Sequence, residues 1–300
     1  MVHSVNLNVL ERGNTVQKFK VISALGLGLL FACATQAQMQ FDDVDITDTP
    51  LRGSVHMLQG MGGNIGVSAG KDGILIIDDQ FEPLAEKISA ALDELGSGGP
   101  RYIINTHYHG DHTGGNAHFH THKGSTIFAH ENVRIRLASD DSVDEAALPV
   151  VTYEDGIKLH FNGETLHVMH LPSAHTDGDS VVWFEQSNIL HTGDLLFNGL
   201  FPFIDLSAGG SVSGYIESVK SLLEKVDENT MIISGHGPIA NKKQYESNLA
   251  MIEETYAYVQ AQKAAGKSLD AVIQEGLDEK WKDWSWSFIS EEKWISTLYQ

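Results

Sequence analysis

The sequence predicts an α/β protein of two stacked β-sheets with helices on their outer faces. Two observations carry that expectation. Short apolar runs first follow one another as a meander and then alternate with helical stretches, an order that packs sheet on sheet with helices outside. The 300 residues are 42% hydrophobic, enough for a sizeable core, and contain no linker, low-complexity tract or repeat. One domain is therefore expected over 38–300.

Strands are expected at 55–58, 64–68 and 73–78, where Val, Ile and Leu cluster between glycine-bearing turns. A helix is expected at 83–95, which opens at Pro83 and sets Ile88, Leu92 and Leu95 at helical spacing. The run Tyr102, Ile103, Ile104 marks a strand at 102–105. Helical stretches at 115–120 and 131–138 flank a strand at 125–128. Strands at 158–161, 166–170, 180–184 and 189–191 then make a second series. A helix at 212–225, a strand at 231–234 and a long helix at 242–264 complete it. The segment 268–300 differs in character, with Trp281, Trp284, Trp286, Phe288 and Trp294 close together. It is expected to dock its aromatics on the core.

The chemistry is concentrated after the 102–105 strand, in Asn105-Thr106-His107-Tyr108-His109-Gly110-Asp111-His112. Three imidazoles and a carboxylate fall within six residues. In an extended or looped segment, side chains two apart point the same way, so His107, His109 and Asp111 can converge while His112 faces a neighbouring point. One such cluster can hold parts of two metal sites, and imidazole with carboxylate suits Zn²⁺ and its first-row neighbours. Further along, His175, Asp194 and His236 each follow an apolar, strand-like run and sit beside Gly or Pro. His118, His120 and His122 have a metal-like spacing but no carboxylate after them, and are expected to lie on a solvated helix end. His130, His160, His167, His170 and His191 have no ligand spacing.

Charge and leader bound the partners. The formal net charge is −20, from 40 acidic and 20 basic residues, which argues against nucleic acid and anionic membrane surfaces. Residues 21–34 are apolar and follow Lys18 and Lys20; they are too short to span a bilayer and fit a signal-peptide core within 1–37. Thr35-Gln36-Ala37 offers cleavage after Ala37, and Val16 is an alternative start. Leu30-Phe31-Ala32-Cys33 is a passable lipobox, so a lipid anchor on Cys33, the single cysteine, is the other reading. Either route places the protein outside the cytoplasm, in the periplasm or secreted.

The full order, His-x-His-x-Asp-His followed by His, Asp and His, resembles the metallo-β-lactamase superfamily, from about Val55 to Gly237. The resemblance implies a four-layer αββα sandwich with two Zn²⁺ ions between the sheets at one edge. It implies that His107, His109 and His175 hold one ion, that Asp111, His112 and His236 hold the other, and that Asp194 bridges them. Asp111 and Asp194 become the expected catalytic residues, and iron or manganese can stand in for zinc. Asp78 matches a carboxylate that in this family supports a ligand; by its own position it is equally a strand-end turn residue.

Departures from the family narrow the substrate. Secreted metallo-β-lactamases typically carry Cys or Ser where Asp194 stands; glyoxalase II and lactonases carry Asp. The best-known subclass places a Lys three residues later, to bind the drug carboxylate. Here that place is Phe197, with Asn198 offering a weaker hydrogen bond. The stretch 193–197 is similar to glyoxalase II, yet the Cys-Gly-Arg that usually follows and the basic tail are absent. Flavodiiron proteins usually carry Glu at the place of His109, and the β-CASP region of nucleases is missing. The expected activity is hydrolysis of an amide, lactam, lactone or ester carbonyl of a small molecule. The alternatives are a thioesterase or lactonase, and a mononuclear-iron oxidoreductase of the persulfide dioxygenase type. The segment 57–64, with Met61, reads as a mobile flap over the site, and 200–203, with Phe203, as the opposite wall. Neutral apolar substrates are therefore expected to outrun penicillins and cephalosporins.

Overall fold

Seven strands form the first sheet in chain order: β1 (Thr47–Pro50), β2 (Val55–Gln59), β3 (Ile65–Gly70), β4 (Gly73–Ile77), β5 (Pro100–Ile104), β6 (Thr126–His130) and β7 (Val151–Tyr153). The computed structural model describes residues 41–96 and 98–300. Val16, Cys33 and the cleavage after Ala37 lie outside the described residues. β1 to β4 run antiparallel, and β4 to β7 are parallel. Parallel neighbours need a crossover. Helix α1 (Ala85–Leu95) supplies it between β4 and β5. The single turn α2 (Gly110–Thr113) and α3 (Asn116–Lys123) do so between β5 and β6, and α4 (Glu131–Ala138) between β6 and β7. Ile74, Leu75, Ile76 and Ile77 of β4 are all buried, as befits a strand covered on both faces.

The second sheet contains β8 (Gly156–Phe161), β9 (Glu164–His170), β10 (Ser180–Phe184), β11 (Ile189–His191) and β12 (Met231–Ile233), in the order β12-β11-β10-β9-β8. It repeats the first plan: an antiparallel series, then β12 parallel to β11 across helix α5 (Val212–Leu223). Helices α6 (Lys242–Ala264), α7 (Leu269–Glu275) and α8 (Glu291–Tyr299) follow. Val55, Leu75, Ile77 and Ile104 of the first sheet meet Leu166, Val182, Phe184 and Ile233 of the second in the inter-sheet core. On the other face of the second sheet, Val181, Leu190 and Ile232 pack with Tyr215, Val219, Tyr245, Ile252 and Trp294 of the helices. The order of layers is helix, sheet, sheet, helix, and 43–300 form one compact unit. No described helix is long and apolar enough to cross a membrane.

The strands at 180–184 and 189–191 and the helices at 131–138 and 242–264 have the expected bounds. β1 was not expected, because Thr-Asp-Thr-Pro has no apolar alternation; its pairing with β2 makes it a strand. Helices α7 and α8 were not expected either. Their start signal was present: Ser268 and Ser290 each cap a helix by accepting a backbone N–H, from Ala271 and Lys293.

Candidate metal centre

The strand ends β4, β5, β9, β11 and β12 all deliver polar side chains to one edge of the sandwich, where loops can project them. After β5 the chain bends through His107, and His109 then begins the α2 turn that carries Asp111 and His112. The segment is therefore not extended throughout. Helical winding after His109 sends Asp111 away from His107 and His109. Two groups result: His107, His109, His175 and Asp194 gather in one, and Asp111, His112 and His236 in the other.

Asp194 stands between them. Its Oδ2 lies 3.8 Å from Nε2 of His107 and 3.4 Å from Nε2 of His175. Its Oδ1 lies 3.2 Å from Nε2 of His112 and 3.5 Å from Nε2 of His236. Asp111 Oδ2 is 3.3 Å from Nε2 of His236 and 3.6 Å from Nε2 of His112. Nε2 of His107, Nε2 of His112 and Oδ1 of Asp194 are buried with no hydrogen-bond partner. Leaving such atoms unsatisfied costs on the order of 1–3 kcal/mol each. A cation in each ligand group would satisfy them, so the residues fit metal binding by imidazole and carboxylate.

Burial holds the His107 ring well below the usual imidazole range and His175 at about 4, leaving both neutral. Burial works against charge on His112 and His236 too, but the carboxylates outweigh it. Asp194, Asp111 and Asp78 push His112 well up, and Asp194 and Asp111 push His236 to about 9. Asp194, although buried, is held well below the carboxylate range by His112, His236 and His107. A metal entering the second group would therefore displace protons.

In four of the five histidines the ring nitrogen that turns away from the centre has a partner. Asp78 sits at φ 64°, the left-handed region, and its Oδ2 is 2.8 Å from Nδ1 of His112. It also accepts from the Thr106 N–H and hydroxyl, at 2.7 and 2.8 Å. It is thus both the turn residue and the support for His112. His175 Nδ1 is 2.7 Å from the Phe203 carbonyl, and His107 Nδ1 is 3.0 Å from the Thr106 hydroxyl. His109 Nε2 is 3.1 Å from Asp205 Oδ2, which also accepts from the Tyr108 hydroxyl at 2.7 Å. Asp205, Thr106 and Tyr108 went unread in the sequence. Asp205 precedes a short helical turn, and nothing in its neighbours marks it as a histidine partner. Such partners commonly set metal affinity by 10- to 100-fold. Asp78→Asn and Asp205→Asn are expected to weaken metal retention by about that factor; titration of the loaded protein with a chromogenic chelator measures it, and wild-type retention in both would contradict these roles.

Phe197 turns out to be a ligand support. Its ring stacks on His236 at 4.9 Å and 9°. Asn198 lies outside the cavity lining; its Nδ2 donates to the carbonyls of Pro238 and Ile239, which holds the His236 loop and leaves the expected substrate contact without a free amide N–H. Met61 and Phe203 do line the cavity over the centre, about 460 Å³ in volume, together with Phe81, Phe197, Trp286 and Phe288. The turn that carries Met61 is tethered: Gly63 N–H donates to Asp111 O at 3.2 Å, and Gln80 Nε2 donates to Gly63 O at 2.7 Å. The expected mobile flap is thus pinned to the ligand loop, because its glycines permit close packing there. His118, His120 and His122 lie on α3 and His130 caps α4; none joins either group. Trp294 is buried in the core as expected, whereas Trp286 reaches the centre, 5.7 Å from the His236 ring.

Fold and ligand set together define a four-layer scaffold with a candidate metal centre at one edge of its sheets. The profile described as the metallo-beta-lactamase superfamily matches residues 62–236. The chain belongs to the metallo-beta-lactamase superfamily. It is 30% identical over 115 residues to a hydroxyacylglutathione hydrolase of Methylococcus capsulatus, covering 38% of this chain and 39% of that one. It is 26% identical over 205 residues to a beta-lactamase-like protein 2 homolog of Caenorhabditis elegans, covering 67% and 62%. The chain thus spans less than two thirds of either relative. Among solved structures, a metallo-beta-lactamase from Pontibacter korlensis aligns with a TM-score of 0.59 at 19% identity, covering 70% of this chain and 99% of that one.

Proposed function

We propose that the protein is a dinuclear zinc hydrolase, exported from the cytoplasm, that cleaves the bond between the carbonyl carbon and the leaving atom of an ester, lactone, thioester or amide with an apolar acyl body. The observation that carries this reading is Asp194, whose two oxygens face two separate ligand groups. Bound zinc would supply a water acidic enough to attack at neutral pH and would polarise the carbonyl. The chain's own part is positional. Asp78, Thr106, Phe203 O and Asp205 fix the outward nitrogens, so that the inward ones meet at defined points. Asp111 is 24% exposed and lines the cavity, where it can accept a proton from the attacking water. The aromatic lining would hold an acyl group and exclude bulk water.

Thioester cleavage is the leading alternative within this reading. A hydroxyacylglutathione hydrolase and an acyl-coenzyme A thioesterase of Gallus gallus, the latter 26% identical over 162 residues, are among the relatives. β-Lactams fit less well, because Phe197 fills the place where a cation would meet a carboxylate next to the scissile bond. The leader within 1–37 supports export. A panel of nitrocefin, homoserine lactones, aryl esters and thioesters, run on zinc-loaded and chelated protein, tests the proposal. Metal-dependent turnover of an ester, lactone or thioester is expected, ahead of nitrocefin. Efficient nitrocefin hydrolysis with none of the others would overturn it. Met61→Ala and Phe203→Ala are expected to raise KM several-fold while leaving metal content near wild type; unchanged KM in both would remove these residues from the substrate wall.

A further inference from the structure

The carboxyl-terminal segment places one cation against two rings of the aromatic cavity wall. Lys293, on α8, has Nζ 4.0 Å from the Phe288 ring centroid and 5.5 Å from that of Phe203. Both rings line the cavity, and Phe203 lies 5.6 Å from the ring of His109. A single aromatic ring therefore separates the lysine from a metal-ligand histidine. The lysine is held in place from both ends of its side chain. Its backbone N–H donates to the Ser290 cap, and Nζ donates to Phe288 O at 3.1 Å. Lys293 forms no ion pair with a carboxylate among the described residues, whereas Lys267, Lys280 and Lys282, also of this carboxyl-terminal region, each do. The wall beneath it is fixed as well: Trp286 Nε1 donates to Phe201 O at 3.0 Å, and the Phe201 N–H donates to Trp284 O.

Building on the hydrolase reading above, we infer that Lys293 receives an anionic group at the far end of the substrate. The scissile carbonyl lies at the ligand groups, and the apolar body packs on Phe203, Trp286 and Phe288. The substrate class is then an acyl derivative with a terminal carboxylate, sulfate or phosphate, separated from the reacting bond by an apolar chain. This differs from a penicillin, whose carboxylate adjoins the scissile ring and would meet Phe197. The overall charge of −20 opposes anions at long range. Screening confines that opposition, since charges more than about 8 Å apart barely interact at physiological ionic strength. The local cation decides what binds beside these two rings.

The test compares two chromogenic esters on the zinc-loaded protein: 4-nitrophenyl octanoate and the 4-nitrophenyl monoester of suberic acid. They share an eight-carbon acyl chain that ends in methyl or in carboxylate. The readout is the ratio of their kcat/KM values, which cancels differences in metal loading between preparations. In wild type the ratio favours the suberate ester and falls as salt is added. Lys293→Ala lowers the ratio about fivefold, the scale of an exposed ion pair, and abolishes the salt effect; Lys293→Glu lowers it further. A ratio that neither variant moves, with both esters cleaved, overturns the anion subsite and leaves the hydrolase reading standing. Metal-dependent cleavage of neither ester overturns this subsite, while the hydrolase reading stands or falls on the lactones and thioesters of the wider panel.

Discussion

Asp194→Asn loses the metal of the Asp111, His112 and His236 group first, and its turnover falls about a thousandfold. The amide keeps the shape of the side chain and removes one negative charge from a point within 4 Å of four ligand nitrogens. A unit charge acting on another at 4 Å is worth about 4 kcal/mol at the effective dielectric of a protein interior. With each 1.36 kcal/mol worth tenfold in rate, this corresponds to about three decades. The second group is the more dependent, since its histidines take protons readily and Asp194 is their principal counter-charge. Metal analysis with steady-state kinetics on the same sample checks this. Full occupancy and unchanged turnover in the variant would contradict a bridging Asp194.

Gly63→Ala is the second large effect, and it arises without replacing a ligand. A Cβ at residue 63 would collide with the His112 ring, and one at residue 62 would press on Asp111. The His112 ring cannot yield, because Asp78 holds Nδ1 from behind and the side chain is fully buried. The turn itself is tied by Gly63 to Asp111 and by Gln80 to Gly63. Either the turn or the ligand must shift, and displacement of the ligand by about 1 Å is enough to lose on the order of a hundredfold in activity. Binding of the second metal should weaken at least tenfold while the far-ultraviolet circular dichroism stays that of wild type. Normal metal binding in Gly63→Ala would mean that this turn does not brace the site.

Much of the centre was legible because metal chemistry restricts residue type and spacing so tightly. His107, His109, Asp111 and His112 declare themselves within one loop, and His175, Asp194 and His236 each end an apolar strand. Long helices such as α6 were legible from Tyr245, Leu249, Ile252 and Val259 at helical spacing. What stayed hidden depends on contacts distant in sequence. Asp205 meets a histidine 96 positions away, and Trp286 packs beside His236 from the far end of the chain. The α2 turn was hidden for another reason. Its Gly-Asp-His-Thr has no apolar periodicity, and the turn is instead closed by hydrogen bonds to the His109 carbonyl. Asn198 shows the converse: a polar residue beside a predicted ligand can be needed by the backbone of the next loop.

The central claim is that two ligand groups, joined by Asp194, hold two ions in one chain. Elemental analysis of the purified protein and of its His109→Ala variant tests it most directly. His109 belongs to the group with His107 and His175, and the other group lacks it. The account predicts two equivalents of metal per wild-type chain and about one in the variant, with the Asp111, His112 and His236 group still occupied. A single equivalent in wild type, or two tightly held ions in His109→Ala, would contradict it.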